Sequence, residues 1–432
     1  MALPTPLKQF LRGWGSTTRK RMQAAARDVL ESNGLQLSQP PAQALGSDCC
    51  GMSAEVLAMR ELGFQHSVVF ASDICEGAGS FCRANAPAGS FFGDVLARKA
   101  SALAHMRIHG YFAGFPCQPW SRMRRKGGRR RRGWSDPRAR VFVACLQAVA
   151  QTQPLYAILE NVQGIMCFWA SVSAKVQAML PGYRLLAVKL CPTQLGRGLR
   201  RPRVFILCLR EDSLMVGCWR TTKALVAAML GSVAEQKMQQ PLSMFLLPSA
   251  SAKGAAKQMK KPVVARAQAS RKTTATAKWI LKHREAQRKA GKLPPLRKLS
   301  FLTAREAEVL QLAEAKLGQA KVLAVDVSQS ADRMPCGAGA ACRLLTNTEK
   351  LLLHTVPVDK LKFPADVQSI GVAIVLAVSM LNWKKARLGQ PKTGQAQAKK
   401  RTVAGTIPIW SGSVKKRRLL VHKTKTADVK NQ

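Results

Sequence analysis

The chain has 432 residues, 47% of them hydrophobic, which is enough to bury one or two cores and excludes a wholly disordered protein. Its charge is lopsided: 69 Lys and Arg against 23 Asp and Glu give a formal net charge of +46, a field that attracts polyanions and makes nucleic acid the expected partner. Twelve cysteines without a Cys-x-x-Cys pair argue against a zinc knuckle and for free thiols in a reducing compartment inside the cell, with no metal expected.

In chain order, residues 1–45 read as a basic, partly helical leader, and Met1 to Gly15 lacks the apolar core of a secretory signal. From about residue 46 to 211 short apolar runs alternate with helical patterns. Val68–Ser72, Tyr111–Ala113, Tyr156–Leu159 and Val204–Leu209 read as strands, and Glu55–Leu62 and Val141–Ala150 as helices. This alternation predicts a doubly wound α/β fold with a mostly parallel sheet, with ligands bound beyond the carboxyl ends of the strands. Residues 212–295 open with a short helical pattern, Ala224–Ala234, and continue as a basic low-complexity linker. Residues 251–300 hold 15 Lys and Arg against one acid. Ala275–Lys292 would make a basic helix there. Residues 296–383 regain apolar content, but the longest apolar run, Ile370–Leu381, is too short to cross a bilayer, so no membrane is expected. Residues 384–432 form a basic tail. Its run Lys415-Lys416-Arg417-Arg418 reads either as a nuclear import signal or as a solvated charge run.

The chemistry concentrates at Gly114-Phe115-Pro116-Cys117-Gln118-Pro119-Trp120-Ser121, directly after a predicted strand. Two prolines stiffen the turn. A thiol on a rigid strand end suits a nucleophile, whereas an isolated cysteine is commonly a packing group. Glu160-Asn161-Val162 ends the next predicted strand, where a buried carboxyl with a raised pKa would hold a proton beside a base. Asp73, at the end of Val68–Ser72, would accept ribose hydroxyls or cap a helix. Alternation along a strand would place Arg201 and Arg203 on one face, either at a ligand or on a solvated edge.

Together these motifs resemble the cytosine-5 DNA methyltransferases over about residues 46–211, in that family's order. The resembling segments are the acidic loop Asp48-Cys49-Cys50-Gly51-Met52-Ser53-Ala54-Glu55, then Asp73, Gly93-Asp94-Val95, Pro116-Cys117-Gln118, Asp136-Pro137-Arg138-Ala139-Arg140, Glu160-Asn161-Val162 and Leu199-Arg200-Arg201-Pro202-Arg203. The resemblance implies a Rossmann-like methyltransferase domain with basic, partly disordered extensions and a reduced C-terminal region. It implies S-adenosylmethionine as cofactor, held by Asp48, Gly51, Asp73, Ile74, Asp94, Val95 and Pro116. It also implies Cys117 as nucleophile, Glu160 as the group that steadies the cytosine ring, and Arg201 and Arg203 at the base and phosphate chain.

This chain departs from the family pattern at Ser53 and Ala139, which replace glycines, and at Leu199, which replaces a glutamine. Arg297–Gln311 and Lys362–Asp366 each resemble a late family motif, and Gln368–Ala373 is the nearest text to the last one, with Val372 for asparagine. The segment Arg122–Arg132 holds seven Arg and one Lys, a run suited to phosphate binding. The implied activity is methyl transfer to cytosine in DNA in the nucleus. The alternatives are a tRNA cytosine-5 methyltransferase on the same scaffold and a nucleic-acid-binding protein with a decayed catalytic fold.

Overall fold

The computed structural model describes residues 5–37, 41–121, 133–192, 201–214 and 219–234, and isolated positions at 285, 335–336, 343–344, 349, 352, 360–362, 383–385 and 409–411. The chain order is α1 (Thr5–Glu31), β1 (Leu35–Leu37), β2 (Gln43–Asp48), α2 (Ala54–Glu61), β3 (His66–Ser72), α3 (Glu76–Asn85), β4 (Ala88–Phe92), β5 (Gly110–Ala113), α4 (Ala139–Thr152), β6 (Tyr156–Val162), α5 (Trp169–Met179), β7 (Tyr183–Leu190), β8 (Arg203–Arg210) and α6 (Trp219–Ala234). Seven strands form one sheet in the order β7-β8-β6-β5-β2-β3-β4, extended beyond β7 by the short antiparallel strand Ile409–Ser411. The pairs β6–β5, β5–β2, β2–β3 and β3–β4 are parallel, and β8 runs antiparallel to both of its neighbours. The expected doubly wound, mostly parallel sheet is therefore present.

Side-chain alternation splits the sheet's apolar residues between two cores. Leu45, Phe112, Ile158, Leu186 and Phe205 face one layer of helices. Tyr111, Ala113, Ala157, Leu159, Leu185 and Ile206 face the layer made by α4 and α5. In the first layer, Met22, Ala26 and Leu30, spaced four apart on one stripe of α1, pack with Leu225, Met229, Leu230 and Val233 of α6.

That packing corrects the expected domain limits. The basic leader and the start of the linker contribute helices to the same core as the sheet, so boundaries at 46 and 211 cut through a packed unit. The two apolar stripes are far apart in sequence and neither is conspicuous alone, which is why α1 reads as a leader. Lys362 also docks on α3, where Asn85 receives its N–H and donates to its carbonyl at 2.7 and 2.6 Å. The segment Arg122–Arg132, the helix expected at Ala275–Lys292 (apart from Glu285), Arg297–Gln311, Gln368–Ala373 and Lys415–Arg418 lie outside the described residues. Among the described residues no helix is long and apolar enough to cross a membrane.

Candidate active site

A cavity of about 730 Å³ opens at the carboxyl ends of β2, β3, β5 and β6. Ten of the eleven expected site residues line it: Gly51, Asp73, Ile74, Asp94, Val95, Pro116, Cys117, Glu160, Arg201 and Arg203. Asp48 is the exception. It is fully buried at the tip of the central strand, where Arg98 grips both carboxylate oxygens at 2.6 and 2.7 Å and the hydroxyls of Ser72 and Tyr111 each donate at 2.7 Å. Its carboxylate is spent on joining β2, β3, β5 and the segment after β4, so the expectation that it grips a ligand is corrected to an anchor beneath the cavity.

The loop after β2 is set by unusual backbone. Cys49, Gly51 and Ser53 have φ of 51°, 53° and 49°. Left-handed backbone favours glycine, and each non-glycine residue there costs about 1–2 kcal/mol. Ser53 thus keeps the conformation a glycine would take at that place in the family pattern. The Gly51 N–H donates to Asp73 Oδ2 at 2.8 Å, and the Cys75 N–H donates to Oδ1 at 2.8 Å. Asp73 therefore ties the first loop to the second strand end while lining the cavity. Asp94 likewise accepts the Leu96 N–H at 2.9 Å. Ile74 is 80% exposed and Leu96 44%, so two apolar side chains stand open on the cavity wall.

Cys117 sits half-buried in the turn after β5, and its carbonyl accepts the N–H groups of Trp120 and Ser121 at 3.0 and 2.9 Å. Trp120 pegs this turn down: it is fully buried, edge-on to Trp134 and Phe168, with ring centroids 5.1 and 5.4 Å apart. Phe115 stacks on Phe142 of α4 at 4.2 Å. Asn161 completes the bracing, its amide donating to the Phe115 carbonyl at 3.0 Å. The Arg138 guanidinium, paired with Asp136 at 2.8 Å, lies within electrostatic reach of the Cys117 thiol.

Glu160 and Arg203 meet because of strand register. Glu160 pairs with Phe205 and Val162 with Arg203, which makes Glu160 and Arg203 diagonal neighbours on one face of the β6–β8 pair. The Arg203 Nε lies 2.7 Å from Glu160 Oε1. Burial pushes the Glu160 carboxyl above its ordinary 4.5, and the charges of Arg203 and Arg201 pull in the opposite direction without cancelling the rise. Arg201 precedes β8 and lines the cavity beside them.

Sequence reasoning missed two residues of the site. Leu96 had no periodic signal. Glu55 was read as the end of the loop after β2 and the start of a helix, not as a site residue, yet it is 4% exposed, lines the cavity and has a carboxyl pushed up to about 7 by burial, which outweighs the Ser47 hydroxyl bonded to it. Its signal was a lone acid at the start of an apolar helix.

Known proteins resemble this chain. The family model for C-5 cytosine-specific DNA methylase matches residues 47–379. An orphan methyltransferase, M.Rho11sI of Bacillus phage rho11s, is 27% identical over 178 residues, which is 40% of this chain and 34% of the relative. The chain thus spans about a third of the length of that curated relative. A solved protein described as a "putative DNA modification methyltransferase" encoded within an E. coli prophage is 21% identical over 39% of this chain and 47% of its own, at a TM-score of 0.33. The Dnmt2 methyltransferase of S. pombe is 21% identical over 39% and 49%, at a TM-score of 0.31. The family model covers most of the chain. The chain belongs to the C-5 cytosine-specific DNA methylase family.

Proposed function

We propose that the protein transfers a methyl group from S-adenosylmethionine to carbon 5 of cytosine in DNA, through a covalent bond to Cys117. The observation that carries this reading is one cavity lined both by Cys117 on a braced turn and by the Glu160–Arg203 pair. The remaining wall fits the cofactor. Ile74 and Leu96 offer apolar faces to an adenine ring, and Asp73 and Asp94 offer carboxylates to ribose hydroxyls and the adenine amino group. When bound, S-adenosylmethionine supplies an electrophilic methyl group.

The chain's own residues prepare the base. The Cys117 thiolate adds to carbon 6 of the cytosine, and the electron pair released makes carbon 5 nucleophilic. Glu160, kept protonated more readily by its burial, donates to N3 and so draws electrons through the ring. Arg203 fixes the Glu160 carboxyl and faces the ring oxygen, with Arg201 beside it. After carbon 5 has gained the methyl group, a base removes its proton and the sulfur–carbon bond breaks, returning the thiolate. A cytosine in a duplex cannot reach Cys117 unless it is flipped out of the stack.

The charge of +46 supports a nucleic-acid substrate held largely through phosphates, and Lys415–Arg418 supports action in the nucleus. Methyl transfer from labelled S-adenosylmethionine tests the substrate. Label in duplex DNA and none in tRNA is expected, and label in tRNA alone would overturn the DNA assignment. A fluorescent fusion that loses nuclear accumulation when Lys415–Arg418 become alanine tests the location.

A further inference from the structure

We propose that Glu55 binds the α-ammonium group of the cofactor's methionine moiety. This rests on the S-adenosylmethionine reading above. Among the described residues, four acids line the cavity, and three of them already take a hydrogen bond or ion pair from the protein. Asp73 holds the Gly51 and Cys75 N–H groups, Asp94 holds the Leu96 N–H, and Glu160 holds Arg203. Asp48, the acid that the loop's sequence offers first, is consumed by Arg98, Tyr111 and Ser72 beneath the cavity. Glu55 remains. The Ser47 side chain and the Glu55 N–H itself hydrogen-bond its carboxylate, but Oε1 is buried with no hydrogen-bond partner.

A buried acceptor left unmade is costly, and an unpaired buried carboxylate more so. The missing partner must bring hydrogen-bond donors, and positive charge would favour the ionised form. S-adenosylmethionine carries two cations. Its sulfonium has no N–H to donate, whereas its α-ammonium has three donors. The place of Glu55 agrees: it lies in the first turn of α2, four residues past Gly51, and lines the same cavity as the strand-end acids and Cys117. The titratable neighbours are thiols, Cys50 on the same loop and Cys82 on α3. The thiol of Cys82 is itself pulled down to about 7 by its bonds from Cys50 and Ser53, and so needs a control.

The test is calorimetric titration of the full chain with two ligands. S-adenosylhomocysteine keeps the α-ammonium but has no sulfonium charge; 5′-methylthioadenosine lacks the amino acid. With Glu55 titrating near 7, the affinity of the wild type for S-adenosylhomocysteine should rise about tenfold between about pH 6 and pH 8. Glu55→Gln should flatten that rise and weaken binding at the upper end roughly tenfold or more. Its affinity for 5′-methylthioadenosine should match the wild type, which also shows that the variant is folded. Cys82→Ser should keep the pH dependence. The proposal is overturned if Glu55→Gln binds S-adenosylhomocysteine like the wild type, if both ligands weaken equally, or if Cys82→Ser removes the rise. Failure of the wild type to bind either ligand would overturn the cofactor reading, and this assignment with it.

Discussion

Replacing Arg98 by methionine separates an anchor from a ligand-binding acid. The pair Arg98–Asp48 is almost wholly dry, with side chains 5% and 0% exposed. Methionine keeps much of the length that packs Arg98 against Phe70 and Phe92, whose ring centroids lie 5.4 and 5.3 Å from the guanidinium, but it removes the charge. The Asp48 carboxylate would then be buried with only the two hydroxyls for partners. Leaving one member of a buried ion pair without its partner costs about 3–5 kcal/mol. In a folded unit of this size that lowers Tm by roughly 6–20 °C. Tyr111→Phe removes a single hydrogen bond to a charged group and should cost about 1.5–3 kcal/mol. Thermal unfolding followed by circular dichroism reads both, and calorimetry well below the transition should find S-adenosylhomocysteine affinity unchanged. An Arg98→Met protein with wild-type Tm but lost cofactor affinity would refute the reasoning, because Asp48 would then act on the ligand and not on the strands.

Other consequences can be measured on the same preparation. Glu160→Gln should lower methyl transfer by about 10²-fold or more while leaving S-adenosylhomocysteine affinity intact. Because burial holds the Glu160 carboxyl above 4.5 in the folded chain, its contribution to stability is present at low pH and lost as pH rises from there through the folded value. Arg203→Met removes the charge that opposes this rise and should deepen the loss, read as the urea midpoint at successive pH values. Gly46→Ala should destabilise by about 1–3 kcal/mol, since an added Cβ would lie 2.5 Å from the ring of buried Phe70; an unchanged urea midpoint would show that the ring yields.

The parts of the fold that were legible in the sequence are those where a local pattern suffices. Tyr111–Ala113 and Tyr156–Leu159 are short apolar runs ended by turn chemistry, and they became β5 and β6. Leu45 and its neighbours in β2 were not read as a strand, because Gly46, Ser47 and Asp48 break the apolar signal although all are buried in the sheet. The α1–α6 packing was illegible for another reason: each stripe is apolar only on one side, and nothing local says that α1 meets α6. The site was read largely from motif order, which placed Cys117, Glu160 and Arg203 together. The fate of Asp48 was beyond that reading, since Arg98 reaches it from a segment with no motif. So was Glu55, whose role depends on burial and not on spacing.

The most direct test of the whole account is covalent trapping at Cys117. Duplex DNA containing 5-fluorocytosine gives a carbon 5 that cannot lose a proton after methylation, so the sulfur–carbon bond cannot break. With S-adenosylmethionine present, the wild-type protein should form an adduct stable to denaturing gel electrophoresis, and Cys117→Ala should form none while still binding the DNA in a salt-dependent manner. An adduct that persists in Cys117→Ala, or a wild-type protein that methylates DNA without ever being trapped, would contradict the account.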